Sequence, residues 1–96
     1  MSYKVSVRPE VARFASTLGK DHRRALKKAI LSLAREKGDI RALSDELSGF
    51  HRLRVGRFRV IFRYLPGLEI ECVYADERRI VYDIFESEMS RILGDS

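Results

Sequence analysis

The sequence contains one cysteine, Cys72, so no disulfide can close within the chain. Cys72 lies in an apolar stretch with Ile70 and Val73, a setting that suits a buried, inert thiol rather than a nucleophile. No apolar run approaches the roughly 20 residues that a membrane-spanning helix needs, and no charged-then-apolar signal pattern opens the chain. The expectation is a soluble, cytosolic protein with no membrane partner. No Gly-rich phosphate loop, nucleophile elbow or pair of catalytic carboxylates is present, and no cofactor is expected. His22 lacks the cysteine, histidine or carboxylate arrangement of a metal centre, and no metal is expected. Internal repeats, low-complexity tracts and linkers are also missing.

What is present is enough for one compact core. Ninety-six residues suit a single domain, residues 1–96, and a chain of that length buries roughly 60 to 65 % of the surface that its unfolded form exposes. The hydrophobic content of 45 % is sufficient for that core. The formal charge is +5, from 19 lysines and arginines against 14 acidic residues, which is compatible with an anionic partner but does not establish one. Distribution says more than the total. Arg52, Arg54, Arg57, Arg59 and Arg63 fall within one stretch that holds no acid, whereas Asp39–Glu46 and Asp83–Glu88 are acidic. One face should be strongly positive.

Tyr3, Val5 and Val7 alternate with Lys4 and Ser6, the period-2 pattern of a half-buried strand. Pro9 then suits the first turn of a helix over Pro9–Leu18, with Val11, Phe14, Ala15 and Leu18 on one side and Gly19 as a stop. Asp21 is a candidate cap for a second helix, His22–Lys37, striped by Leu26, Ala29, Ile30, Leu33 and Ala34 and closed by Gly38. The two should form an antiparallel hairpin. Asp39–Gly49 has mixed character and carries only a hint of a helical turn. Phe50–Val55, Phe58–Leu65 and Leu68–Ala75 are strand-like runs separated by Gly56-Arg57 and Pro66-Gly67, the pattern of a three-stranded antiparallel meander. Ile80–Phe85 reads as a strand in isolation, but Val81, Ile84, Phe85, Met89, Ile92 and Leu93 recur at helical spacing, and a C-terminal helix fits better. The fold class is therefore α+β: N-terminal strand, helical hairpin, antiparallel meander and C-terminal helix, with the helices packed on one sheet face.

Strand alternation places Arg52 with Arg54, and Arg59 with Arg63, on one side of their strands. Leu53, Val55, Phe58, Val60 and Phe62 are left to face the helices. Guanidinium groups present planar, forked donors to phosphate, so such a surface suits a nucleic-acid backbone. An ordinary solvated face, paired with Glu69 and Glu71, is the plainer reading of a basic strand. His51 alternates away from Arg52 and Arg54, His22 reads as a surface residue, and Arg23, Arg24, Lys27 and Lys28 read as a solvated helix face.

Leu47-Ser48-Gly49, His51-Arg52-Leu53-Arg54-Val55-Gly56 and Phe58-Arg59-Val60-Ile61-Phe62 together resemble the signature of the RelE/ParE toxin superfamily, on its RelE side. Ala75-Asp76-Glu77-Arg78-Arg79-Ile80-Val81-Tyr82 resembles its closing pattern, with Asp76 and Glu77 where small and basic residues are usual. The resemblance extends over essentially the whole chain. It implies a toxin that inhibits translation by ribosome-dependent cleavage of mRNA, with a cognate antitoxin, the ribosome and mRNA as partners. Carried over by position, Arg52, Arg54, Arg59, Arg78, Arg79 and Tyr82 are the candidate catalytic residues; an alignment from Arg91-Ile92-Leu93 puts Phe85 at the tyrosine position instead. Arginines would stabilise charge growing on the phosphoryl oxygens, Arg59 foremost. The general base stays open, because arginine remains protonated and some relatives carry lysines where Arg52 and Arg54 stand. The same resemblance leaves a gyrase inhibitor of the ParE branch, or a catalytically degenerate binding member, as alternatives.

Overall fold

The computed structural model describes residues 2–77 and 80–94. The chain runs β1 (Lys4–Val7), α1 (Pro9–Ser16), α2 (Lys20–Ser32), β2 (Asp39–Ala42), β3 (His51–Val55), β4 (Phe58–Leu65), β5 (Glu69–Glu77) and α3 (Ile80–Leu93), with 3₁₀ turns at Leu33–Arg35 and Asp45–Leu47. The five strands form one sheet in the order β1-β5-β4-β3-β2. β1 runs parallel to β5, and the remaining pairs are antiparallel. The α+β class and the expected element order hold.

Pro9 opens α1, where its missing N–H costs nothing. α2 begins earlier than expected: Gly19, in an extended conformation, is its N-cap, and Asp21 sits inside the first turn rather than capping it. The last turn of the expected second helix tightens into the 3₁₀ turn and is closed by Glu36 in the left-handed region, with φ of 53°. Gly38 follows at φ of 124°, where a β-carbon would come within 2.7 Å of a Leu53 methyl, so glycine is needed both for backbone shape and for space. Gly56, at φ of 60°, opens the two-residue loop between β3 and β4, as tight Gly-first hairpins require. The second hairpin loop has three residues, because β5 starts at Glu69 and Leu68 joins Pro66 and Gly67 in the turn.

The layering differs from expectation. α1 and α2 pack on one sheet face, where Val11, Leu26, Leu33, Leu53, Val60, Phe62, Ile70 and Cys72 form the larger buried cluster. The C-terminal helix lies against the opposite face: Val81, Phe85 and Ile92 of α3 join Leu47, Ile61 and Val73 in a second cluster. A β-bulge makes room for it. The register shifts between Ile61 and Phe62, leaving Val73 as an extra residue on β5, so that Val73 and Tyr74 both turn toward α3. Burying a side chain of the size of Phe62, Leu26 or Phe85 contributes roughly 1.5–3 kcal/mol, so each layer holds its helix firmly.

Candidate functional site

Residues directly opposite each other on paired strands project to the same side of a sheet. The register therefore draws two rows across the face that α3 partly covers. One row is Asp39, Arg54, Arg59 and Asp76, taken from β2, β3, β4 and β5 in turn. The next is Arg41, Arg52, Ile61 and Tyr74. The arginines that the alternation groups together do share this face, but they do not share an environment.

Arg52 is buried, with 9 % of its side chain exposed. Its Nη1 lies 3.2 Å from Asp39 Oδ1 and donates to the Asp39 carbonyl at 3.1 Å. The guanidinium thus fastens the edge strand β2 onto β3. Arg63 donates from Nε and Nη2 to Glu71 Oε1 at 2.9 and 2.8 Å, and Arg8 donates to the other oxygen of Glu71 at 3.3 Å. Arg8 also donates to the carbonyl of Ile92, tying α3 to this corner. Arg57, at the hairpin loop, sits 3.8 Å from Glu77 with its guanidinium carbon 5.3 Å from the centre of the Phe58 ring.

Arg54 and Arg59 are different. Arg54 is exposed and, among the described residues, donates only to the Gly56 carbonyl, at 3.3 Å. Arg59 is half-buried and, among the described residues, has no ion pair and no side-chain hydrogen bond. These two cations face each other directly across β3 and β4. Like charges in that position destabilise a sheet unless an anion lies over both. Their planar, forked donors suit a phosphate.

Tyr82 lies on α3, half-buried against the second cluster, whereas Phe85 is fully buried within it, edge-on to Phe50 at 5.1 Å. Of the two aromatic positions only Tyr82 retains exposure. Arg78 and Arg79 lie outside the described residues. Tyr74, in the second row, is held protonated above the ordinary tyrosine range, chiefly by burial and then by the charges of Asp76 and Glu88. His51 points to the opposite face, stacked on Phe62 at 5.5 Å and edge-on to Tyr64 at 5.0 Å, away from the arginines as alternation required. His22 is exposed and lies edge-on to Phe58 at 5.4 Å. Cys72 is buried, and burial pushes its thiol up to about 12, which leaves it protonated and unreactive. Among the described residues no three His, Cys, Asp or Glu side chains come together as metal ligands would.

Two members of the face were not identified as site residues from the sequence. Arg41, exposed beside Arg52, belongs to a strand too short and too charged to be recognised. Asp76 was legible only as a departure from the resemblance, and the register now sets it opposite Arg59. Away from this face, Arg24, Lys27, Lys28, Arg35 and Lys37 line an open depression of ≈ 460 Å³ on α2 and the turn after it. An apolar groove of ≈ 480 Å³ runs between β1 and the helical hairpin, with exposed Val7 and Leu31 on its walls.

No protein-family model and no curated protein matches the chain. Solved structures do. A chain of the RelBE2 toxin–antitoxin complex of Mycobacterium tuberculosis is similar with a TM-score of 0.73 at 22 % identity, covering 81 % of this chain and 100 % of that one. A chain of the archaeal RelE–RelB complex of Pyrococcus horikoshii is similar with a TM-score of 0.63 at 26 % identity, covering 82 % and 98 %. A double arginine-to-alanine mutant of the Escherichia coli toxin RelE in the free state is similar with a TM-score of 0.53 at 14 % identity, covering 99 % and 94 %.

Proposed function

The chain has the fold of the RelE-like toxins, and from that premise we propose that it is the toxin of a toxin–antitoxin pair that arrests translation by cutting mRNA on the ribosome. The observation that carries this reading is the Arg54–Arg59 pair: two cations directly opposite each other, without an ion pair among the described residues, on a face where Arg52 and Arg63 are paired with carboxylates. Arg59 would hold a phosphoryl oxygen of the scissile linkage and stabilise the charge that grows there, and Arg54 would hold the neighbouring phosphate. Arg52 supports them from below through Asp39. Tyr82, half-exposed on α3, would stack on a base, and Arg78 and Arg79 would complete the expected set.

The partner would be an antitoxin, as in the similar complexes. The apolar groove along β1 supports a protein partner, because a contiguous exposed apolar surface on a small domain marks an interaction site. The hairpin helices, of 8 and 13 residues, support the mRNA-cutting branch over the gyrase-inhibiting one, whose members tend to have longer helices. The test is induced expression of wild type and Arg59→Ala without antitoxin, with mRNA 5′ ends mapped on translated and untranslated transcripts. Cuts confined to translated messages and lost in the variant are the expected result. Growth arrest with intact mRNA and damaged DNA would assign the chain to gyrase inhibition instead.

A further inference from the structure

Cleavage on this face needs a group that takes the 2′-hydroxyl proton, and arginine cannot serve because it stays protonated. Building on the function proposed above, we propose that Asp76 is the general base. It is the cross-strand neighbour of Arg59 and projects to the same side of the sheet. Its Oδ1 accepts the N–H of Glu77 at 2.7 Å, which fixes the plane of the carboxylate. Its second oxygen has no hydrogen bond or ion pair among the described residues, and the side chain lines an open cavity of ≈ 260 Å³ between α1, β5 and α3, which Glu10, Arg13 and Arg91 also line.

The other candidates on this face are occupied or unsuitable. Asp39 is paired with Arg52, and Glu71 with Arg63 and Arg8. Glu77 stands opposite Phe58, on the hairpin side of the sheet, and lies near Arg57. Glu88 of α3 is held by Arg91 through two hydrogen bonds. Tyr74 shares the face but is kept protonated by burial and by neighbouring carboxylates. His51 lies on the opposite face. Asp76 is thus the carboxylate that the sheet sets beside Arg59 with an oxygen to spare.

Neighbouring strands lie about 4.8 Å apart, so a phosphodiester held on Arg59 has the adjoining 2′-oxygen within reach of the next strand. In the step, the Asp76 carboxylate takes the 2′-hydroxyl proton as the 2′-oxygen forms its bond to phosphorus. The bond from phosphorus to the 5′-oxygen breaks, its electron pair leaves on that oxygen, and a water molecule protonates it. The hydroxide so formed takes the proton back from Asp76. The products are a 2′,3′-cyclic phosphate and a 5′-hydroxyl, and the carboxylate is restored.

The experiment measures single-turnover cleavage of ribosome-bound message by wild type, Asp76→Asn, Asp76→Glu and Arg59→Ala, with thermal melting of each variant. Asp76→Asn is expected to slow cleavage about 10²–10⁴-fold and to melt like wild type. Asp76→Glu, which keeps a carboxylate, should restore part of the rate. Arg59-dependent cleavage that survives Asp76→Asn within tenfold, or an Asp76→Glu variant no faster than Asp76→Asn, overturns the assignment of the base alone. Absence of Arg59-dependent cleavage in wild type removes the underlying function and this proposal with it.

Discussion

The two faces of the sheet do different work with the same strands. Toward the hairpin, β3, β4 and β5 present Leu53, Val60, Phe62, Ile70 and Cys72, all at most 1 % exposed, with the polar groups His51, Tyr64 and Glu77 toward the strand ends. Toward α3 they present Arg52, Arg54, Arg59, Arg63 and Asp76, interrupted by an apolar strip of Ile61 and Val73 on which the helix rests. Outside the bulge, alternation separates the two sets: a residue and its neighbour one position along the strand face the apolar core and the charged face in turn. Substitutions on one face should therefore leave the other intact.

The largest effect is expected on the hairpin side. Phe62→Ala should lower stability by about 3–5 kcal/mol in a denaturant titration, while protein that remains folded keeps its cleavage rate. Arg59→Ala should do the reverse. Its cleavage rate should fall about 10²–10³-fold, and its stability should stay within about 0.5 kcal/mol of wild type, because a like-charge opposition with Arg54 is relieved. A variant that lost both properties together would break the division.

Alkaline pH should sharpen the same comparison, because both groups with strongly raised values belong to the hairpin face. Burial lifts Cys72 from 9.0 to about 12, and burial together with its hydrogen bond to Glu36 lifts Tyr64 from 10.0 to about 12. The folded protein keeps these protons where the unfolded chain releases them. Their contribution is thus fully present below about pH 9 and is lost as pH rises toward 12. The denaturation midpoint should fall across that window, and Cys72→Ala should move the onset up toward pH 10, where Tyr64 begins to act.

The smallest effect concerns the pair that supports the site. Asp39→Asn leaves Arg52 buried without its anion, but Asp39 is itself 58 % exposed, so water moderates the loss. A destabilisation of about 1 kcal/mol is expected, with cleavage reduced by a small factor as β2 loosens.

Much of this arrangement can be read from the sequence. Val11, Leu26 and Leu33 at helical spacing, and the Leu53–Phe62 alternation, carry the hairpin, the meander and the existence of a basic face. What cannot be read depends on pairing. β2 has only Ile40 and Ala42 to alternate with Asp39 and Arg41, too little for a period to emerge, and it becomes a strand because β3 offers it an edge. Without β2, Arg52 looks equivalent to Arg54; with it, Asp39 claims one and leaves the other. The apolar stripe of α3 requires that it be buried but does not say against which face. The bulge at Val73 decides that, by turning two consecutive residues outward from the hairpin side. The partnership of Arg59 and Asp76 is likewise a matter of register, invisible until β4 and β5 are aligned.

The most direct test is to add purified wild type and Arg59→Ala, matched by their melting curves, to ribosomes translating a defined message and to follow cleavage of that message. Cleavage by wild type and a loss of about 10²–10³-fold in the equally stable variant are the result expected from a face that binds and polarises the RNA backbone. Equal cleavage by the two proteins, or none by either, would contradict it.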